Sequence, residues 1–281
     1  MLIKNKQKNI TLVAIDFKTH DLTRRAIEIC LSKADVGDVV VISDQDLIPG
    51  SRWIQREPTA NFPEYSNIML KGVAEHVNTS HAVYVQYDGM IWDPGYWNDK
   101  FMNYDYIGAV WPWEPEGRNV GNGGFCLRSK KMLEACLDEQ IQISAERNFI
   151  AEDASICIDH RPYLESKYDI KFAPSHMARQ FSHEVERSDS WGWHGLWHVF
   201  GYLDLADVEY YSERLTYKGW NIYLWHHVLA TMAARGLQDE LNKAIPILKQ
   251  DKPELVPELL KWFLSEDFPN QPYLIWQLKA D

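Results

Sequence analysis

Four cysteines are all that 281 residues contain, and Cys30, Cys126, Cys136 and Cys157 form neither a CxxC pair nor any zinc spacing. That excludes a disulfide-stapled scaffold and a zinc ribbon. Each cysteine sits in apolar sequence, as a buried reduced thiol of a cytoplasmic protein would. No window approaches the roughly 18 apolar residues needed to cross a bilayer. The basic stretch Met1 to Lys8 lacks the apolar core of a secretory signal. Positive charge is also short. A formal net charge of -11 argues against nucleic acid as a partner, because its phosphates demand basic patches, and against purely electrostatic docking on anionic lipid. No glycine-rich phosphate loop follows the first apolar run, and no fixed-period repeat is visible.

What the chain does hold is aromatic: 12 Trp and 14 Tyr. Such rings fill cores, and they also stack on the apolar C–H faces of sugars. Ile10 to Asp16, Asp38 to Asp44 and His81 to Asp88 read as buried strands closing on acids. Helical spacing separates them at Leu22 to Leu31 and at Tyr65 to Val77, the second carrying Lys71. This rhythm predicts a doubly wound α/β domain with a parallel sheet. It delivers Asp16, Asp44 and Asp88 to one carboxyl edge, where open α/β sheets bind ligands. Asp16 and Asp44 serve equally well as helix caps or turn formers.

After Asp88 the sequence turns loop-rich. Trp111-Pro112-Trp113-Glu114-Pro115-Glu116-Gly117 admits no regular structure. Asn122-Gly123-Gly124 precedes a strand over Phe125 to Arg128, and Ser129 caps a helix running to about Leu137. Ser182 to Gly201, crowded with Trp, His, Ser and Gly, reads as an active-site loop. From about residue 205 the pattern is helical throughout, with helices expected over Trp220 to Ala234, Gln238 to Leu248, Pro253 to Leu264 and Pro272 to Leu278. The domain reading is 1–205 for the α/β domain and 206–281 for a helical extension.

Gln86-Tyr87-Asp88-Gly89, Tyr104 to Ala109, Val120 to Ser129 and Glu152-Asp153 together resemble a bacterial family of glycosyltransferases with a GT-A-like fold, catalogued as a domain of unknown function. The resemblance covers roughly residues 62 to 200. It implies a mixed α/β, Rossmann-like sheet flanked by helices. It also implies transfer of a sugar from a nucleotide-diphosphate donor, a UDP-sugar, to a glycan or glycolipid hydroxyl in bacterial surface polysaccharide or lipooligosaccharide synthesis. Such a partner would bring the protein to a membrane only peripherally. GT-A enzymes usually carry Asp-x-Asp after a strand, whereas here Gln86 stands at the first position. Asp88 is then the one anionic ligand this motif offers to Mn²⁺ or Mg²⁺.

The same resemblance casts Asp153 as the general base and Glu152 as an acceptor contact or alternate base, although acids in a first helical turn are ordinary caps. His194 is the candidate second metal ligand, with His176 and His183 as rivals. Gly123 and Gly124 either let a sugar approach the backbone or make a tight turn. Gln86 and Asn122 are candidate donor contacts, Gln86 reaching a ribose or sugar hydroxyl or else merely satisfying backbone groups, and Asp16 and Asp44 join them at the sheet edge. Lys71 and Arg128 are the candidate cations for phosphate, with solvent-exposed salt bridging the default for either. Trp111, Trp113, Trp191 and Trp193 are acceptor platforms or core. A retaining mechanism, a nucleotidyltransferase and a non-catalytic carbohydrate-binding protein are the competing readings.

Overall fold

The computed structural model describes residues 5–143, 151–185 and 188–280. Two compact units divide the chain, Met1–His194 and Gly195–Asp281. The second unit's first helix starts at Leu196.

The first unit opens with β1 (Asn5–Ile15), α1 (His20–Lys33), β2 (Ala34–Ser43), β3 (Arg52–Gln55), α2 (Phe62–Lys71) and β4 (His81–Val85). Asn61 caps α2 by accepting from Glu64 N, with Pro63 preorganising the first turn. The loop after β4 passes through β5 (Gly89–Ile91), β6 (Tyr106–Ile107), β7 (Ala109–Val110) and β8 (Val120–Gly121) into β9 (Phe125–Ser129). Ser129 then caps α3 (Lys130–Ala135) through Met132 N, close to the expected helix.

The main sheet runs β3-β2-β1-β4-β9-β6. β1 is parallel to β2 and to β4, and β2 to β3, as the strand–helix rhythm requires. The parallel expectation ends at β4, because β9 pairs with it antiparallel, Val85 facing Phe125. The sheet is thus mixed and flanked by helices. Through this reversal the start of β9, at Gly123-Gly124, comes to lie at the same edge as the end of β4, at Gln86 and Asp88. Val13, Val40, Tyr84 and Cys126 from the sheet pack with Ile68 and Met69 of α2 and Leu133 of α3 in one apolar core.

Beyond residue 150 come a short α4 (Glu152–Ala154) that widens into a π turn at Ser155–Asp159, then α5 (Arg161–Tyr168) and α6 (Ser175–Phe181). The segment expected as an active-site loop instead contains β10 (Ser182–His183) and β11 (Gly192–His194). Its Trp191 and Trp193 are fully buried, Trp191 against Phe125, Phe181 and Trp97. Those two tryptophans are core and not acceptor platforms. All four cysteines are buried free thiols.

The second unit is helical: α7 (Leu196–Tyr202), α8 (Leu205–Arg214), α9 (Ile222–Arg235), α10 (Gln238–Asp251), α11 (Val256–Leu264) and α12 (Gln271–Lys279). Its core is built on Trp225, Leu229 and Met232 of α9, with Leu241, Phe263 and Leu274 also fully buried. Gly236, in the left-handed conformation, ends α9 where the helical pattern breaks. No helix among the described residues is long and apolar enough to cross a membrane.

Candidate active site

A cavity of about 680 Å³ opens at the edge where β4 ends and β9 begins, lined by Gln86, Asn122, Gly123, Gly124, Glu152, Asp153, Glu184 and His194 together with Tyr65, Trp111 and Trp113. Sheet register brings these groups together. β5 pairs antiparallel with β11, and Gly89 faces His194, which sets that histidine beside Asp88. His194 Nε2 lies 3.7 Å from Asp88 Oδ1, too far for a hydrogen bond, and that oxygen is buried without a hydrogen-bond partner. Burial pushes the Asp88 carboxyl up, opposed by the charge of His194.

His194 is itself held from behind. Glu184 Oε1 lies 3.0 Å from its Nδ1, and Asn122 Nδ2 lies 2.8 Å from the same nitrogen. Asn122 adopts φ 76° and its Oδ1 accepts from Gly124 N and Phe125 N, which turns its amide nitrogen toward the ring. A single ring nitrogen either donates to Glu184 or accepts from Asn122, and in the protonated imidazole it donates to Glu184. Burial alone would lower the His194 pKa. The Asp88 charge, the Glu184 hydrogen bond and charge, and Asp153 outweigh it and raise the pKa to about 9.

Gly123 and Gly124 both line the cavity, and their missing side chains also make room for the protein's own groups. A Cβ on Gly124 would sit 2.2 Å from the His194 ring, and one on Gly123 would sit 2.0 Å from Glu152 Oε1. Both absences of side chain are used by the protein's own functional groups, which close on the backbone there.

Glu152 and Asp153 are neighbours with opposite electrostatics. Glu152 is buried and paired with Arg128 Nη2 at 2.9 Å. Arg128 is wholly buried; it donates to Met69 O and stacks 4.1 Å over the Tyr84 ring. It therefore does not serve as the phosphate cation expected from sequence but neutralises Glu152 from inside the sheet. Among the described residues Asp153 has no ion-pair partner. Its Oδ2 accepts from Gly123 N and its Oδ1 from Ala154 N. Burial, then the Glu152 charge, push its carboxyl up to about 7. A carboxylate that titrates near neutrality and lines a cavity is suited to take a proton.

The other predicted residues scatter. Asp16 spends its carboxylate on Lys18 N, Thr19 N and Thr19 Oγ1, a turn ahead of α1. It lines a second cavity of about 320 Å³, rimmed by Lys18, Thr19, Thr59 and Tyr87, which shares Phe62, Tyr65 and Gln86 with the first. Gln86 Nε2 donates to Tyr65 Oη across that shared wall. Asp44 instead pairs with His20 at 2.7 Å, and Lys71 donates to Asp138 O; neither lines either cavity. His183, a rival to His194, is buried against Ser190. Trp113 is 63% exposed and keeps its platform role open, whereas Trp111 beneath it is buried. Glu184 was not legible in the sequence, because only the pairing of β10 with β11 carries it to His194.

Whether a divalent cation fits can be judged from the orphaned Asp88 oxygen. Among the described residues no three His, Cys, Asp or Glu side chains converge as a ligand set. Asp88 Oδ1 and His194 Nε2 nevertheless form a hard carboxylate–imidazole pair, backed by Glu184 on the far ring nitrogen as metal-bound histidines usually are. Two protein donors suit an ion whose other ligands come from a substrate's oxygens and water.

Residues 52–202 match a family described as "Protein of unknown function (DUF5672)". Among solved structures, "a glycosyltransferase involved in the glycosylation of the major capsid of PBCV-1" is similar at 14% identity and a TM-score of 0.43, over 66% of this chain and 91% of that one. No curated protein matches the sequence.

Proposed function

We propose that this chain, which belongs to the DUF5672 family, transfers a sugar from a nucleotide-diphosphate donor, a UDP-sugar, to a glycan hydroxyl with inversion at the anomeric carbon. The observation that carries this reading is the division of labour at one sheet edge, where Asp153 and His194 line the cavity and Asp88, which is not itself among the lining residues, faces His194. Asp153 is poised to accept a proton near pH 7, while Asp88 and His194 face each other with a buried carboxylate oxygen to spare.

In this mechanism Asp153 accepts the acceptor's hydroxyl proton as the oxygen attacks the anomeric carbon. The bond from that carbon to the diphosphate oxygen breaks on the opposite face, and its electron pair leaves with the diphosphate. Glu152, ion-paired with Arg128, lies beside Asp153, whose carboxyl is raised by burial first and by the Glu152 charge second. Mn²⁺ or Mg²⁺ bound by Asp88 and His194 would supply Lewis-acid neutralisation of the departing diphosphate. His194, kept in orientation by Glu184, positions that side of the cavity. The second cavity, joined to the first through Tyr65 and Gln86, is of a size for the nucleoside, with Lys18 as the cation at its rim. A bacterial surface polysaccharide or lipooligosaccharide is the proposed acceptor, met by a cytoplasmic enzyme that touches membrane only through that substrate.

Isothermal titration with UDP, with and without Mn²⁺, tests the donor half. Metal-dependent binding that Asp88→Ala weakens is expected. Glycan binding with no nucleotide binding would instead make the protein a carbohydrate-binding module. NMR of the product's anomeric proton separates inversion from retention.

A further inference from the structure

Gly121 in β8 is the base of a stacked aromatic layer. A methyl there would lie 2.2 Å from Trp111 Cη2, so only glycine lets the indole lie flat on the strand. Trp113 then stacks on Trp111, centroids 6.3 Å apart and planes within 21°. The buried lower ring supports an upper ring whose outer face is open.

The loop carrying both rings is fastened. Trp111 N donates to Asn119 O, Glu114 N to Trp111 O, and Glu116 accepts from Ser175 and Asn119. A loop tied down in this way holds the exposed indole in place at the cavity rim, which exposure alone would not require.

Carboxylates predominate around the platform, and among the described residues His194 is the one basic group lining the cavity. Glu114 lines the cavity next to Trp113, and among the described residues no lysine or arginine lines it. Glu152 is already paired with Arg128 and Glu184 with His194, whereas Glu114 has no ionic or hydrogen-bonding side-chain partner among the described residues. A carboxylate beside an open indole accepts from hydroxyls or an ammonium and repels a second carboxylate or a sulfate.

We infer that the Trp111–Trp113 layer with Glu114 is an acceptor subsite selective for neutral or amine-bearing sugar rings, and closed to uronic or sulfated ones. This rests on the glycosyltransferase reading only for the word acceptor; the subsite itself is defined by glycan binding without any donor present.

The test is binding of the labelled full chain to a glycan array carrying neutral, amine-bearing, uronic and sulfated oligosaccharides, with no nucleotide added. Signal confined to the neutral and amine-bearing glycans is expected. Trp113→Ala should weaken that binding roughly tenfold, the loss of a stacking contact of ordinary strength, and Trp113→Phe should retain most of it. Glu114→Gln should admit acidic glycans that the native chain rejects. Binding led by uronic or sulfated glycans, no binding to any glycan, or full binding by Trp113→Ala would each overturn the inference. UDP titration of the same Trp113→Ala protein reports the donor site separately, so a failed subsite and a failed transferase reading give different results.

Discussion

Replacing Asp153 with asparagine (Asp153→Asn) should move stability and turnover in opposite directions. In the folded chain this carboxyl is raised from its ordinary 3.8 to about 7, by burial first and by the Glu152 charge second. Between those two values the folded chain binds a proton that the unfolded chain has already released. Stability therefore falls as pH rises through that window and remains low above it. A shift of about 3 units corresponds to about 4 kcal/mol at roughly 1.4 kcal/mol per unit. Asp153 is only half-buried and lines an open cavity, so solvent screening reduces the expected effect to about 2 kcal/mol. Asparagine keeps the shape, can still accept from Gly123 N, and carries no charge at any pH in the range.

Urea unfolding of both proteins at pH 4 and pH 8 reads the difference. The variant should match the native chain at pH 4 and exceed it by about 2 kcal/mol at pH 8. Its transfer rate should drop by roughly 10²- to 10⁴-fold, the usual weight of a general base. In the native chain, turnover should rise with pH through about 7 as the carboxyl ionises. Parallel pH–stability curves for the two proteins, or undiminished transfer by the variant, would refute the reasoning.

The same geometry sets three further outcomes. Arg128→Met strands the buried Glu152 carboxylate and should cost about 3–5 kcal/mol in urea unfolding, with Glu152→Gln in the same chain recovering part of it. Gly124→Ala drives a methyl to 2.2 Å from the His194 ring, and calorimetry should show Mn²⁺-dependent UDP affinity falling by about tenfold or more as that ring is displaced. Lys71→Ala and Asp44→Asn alter groups bonded to Asp138 O and His20 outside both cavities. Either variant should leave UDP affinity within about twofold, a change larger than that placing a donor contact where none is seen.

Local pattern alone determined the apolar strands at residues 10–15, 39–42 and 82–85, because a strand buried on both faces needs an unbroken apolar run. It also determined the Ser129 cap, the irregular Trp111 to Gly117 turn and the C-terminal helices, all set by spacing within a few residues. The acids at the strand ends were equally legible as chemistry, but not their employment. Asp16 and Asp44 are absorbed by Thr19 and His20, while Asp88 keeps a buried oxygen without a partner.

The remainder was settled in three dimensions. Nothing in Phe125 to Ser129 announces that β9 runs against β4, yet that direction brings Gly123 and Gly124 to the edge occupied by Asp88. Nothing within Ser182 to His194 announces that Gly89 will face His194, or that Glu184 will hold its other ring nitrogen. Arg128 looks like a surface cation until Glu152, 24 positions away, is found against it in the interior. Trp113 and Trp191 are the same residue in similar company, one open to solvent and one sealed in the core. Strand direction, register and burial are set by long-range pairing, and no window of neighbouring residues contains that information.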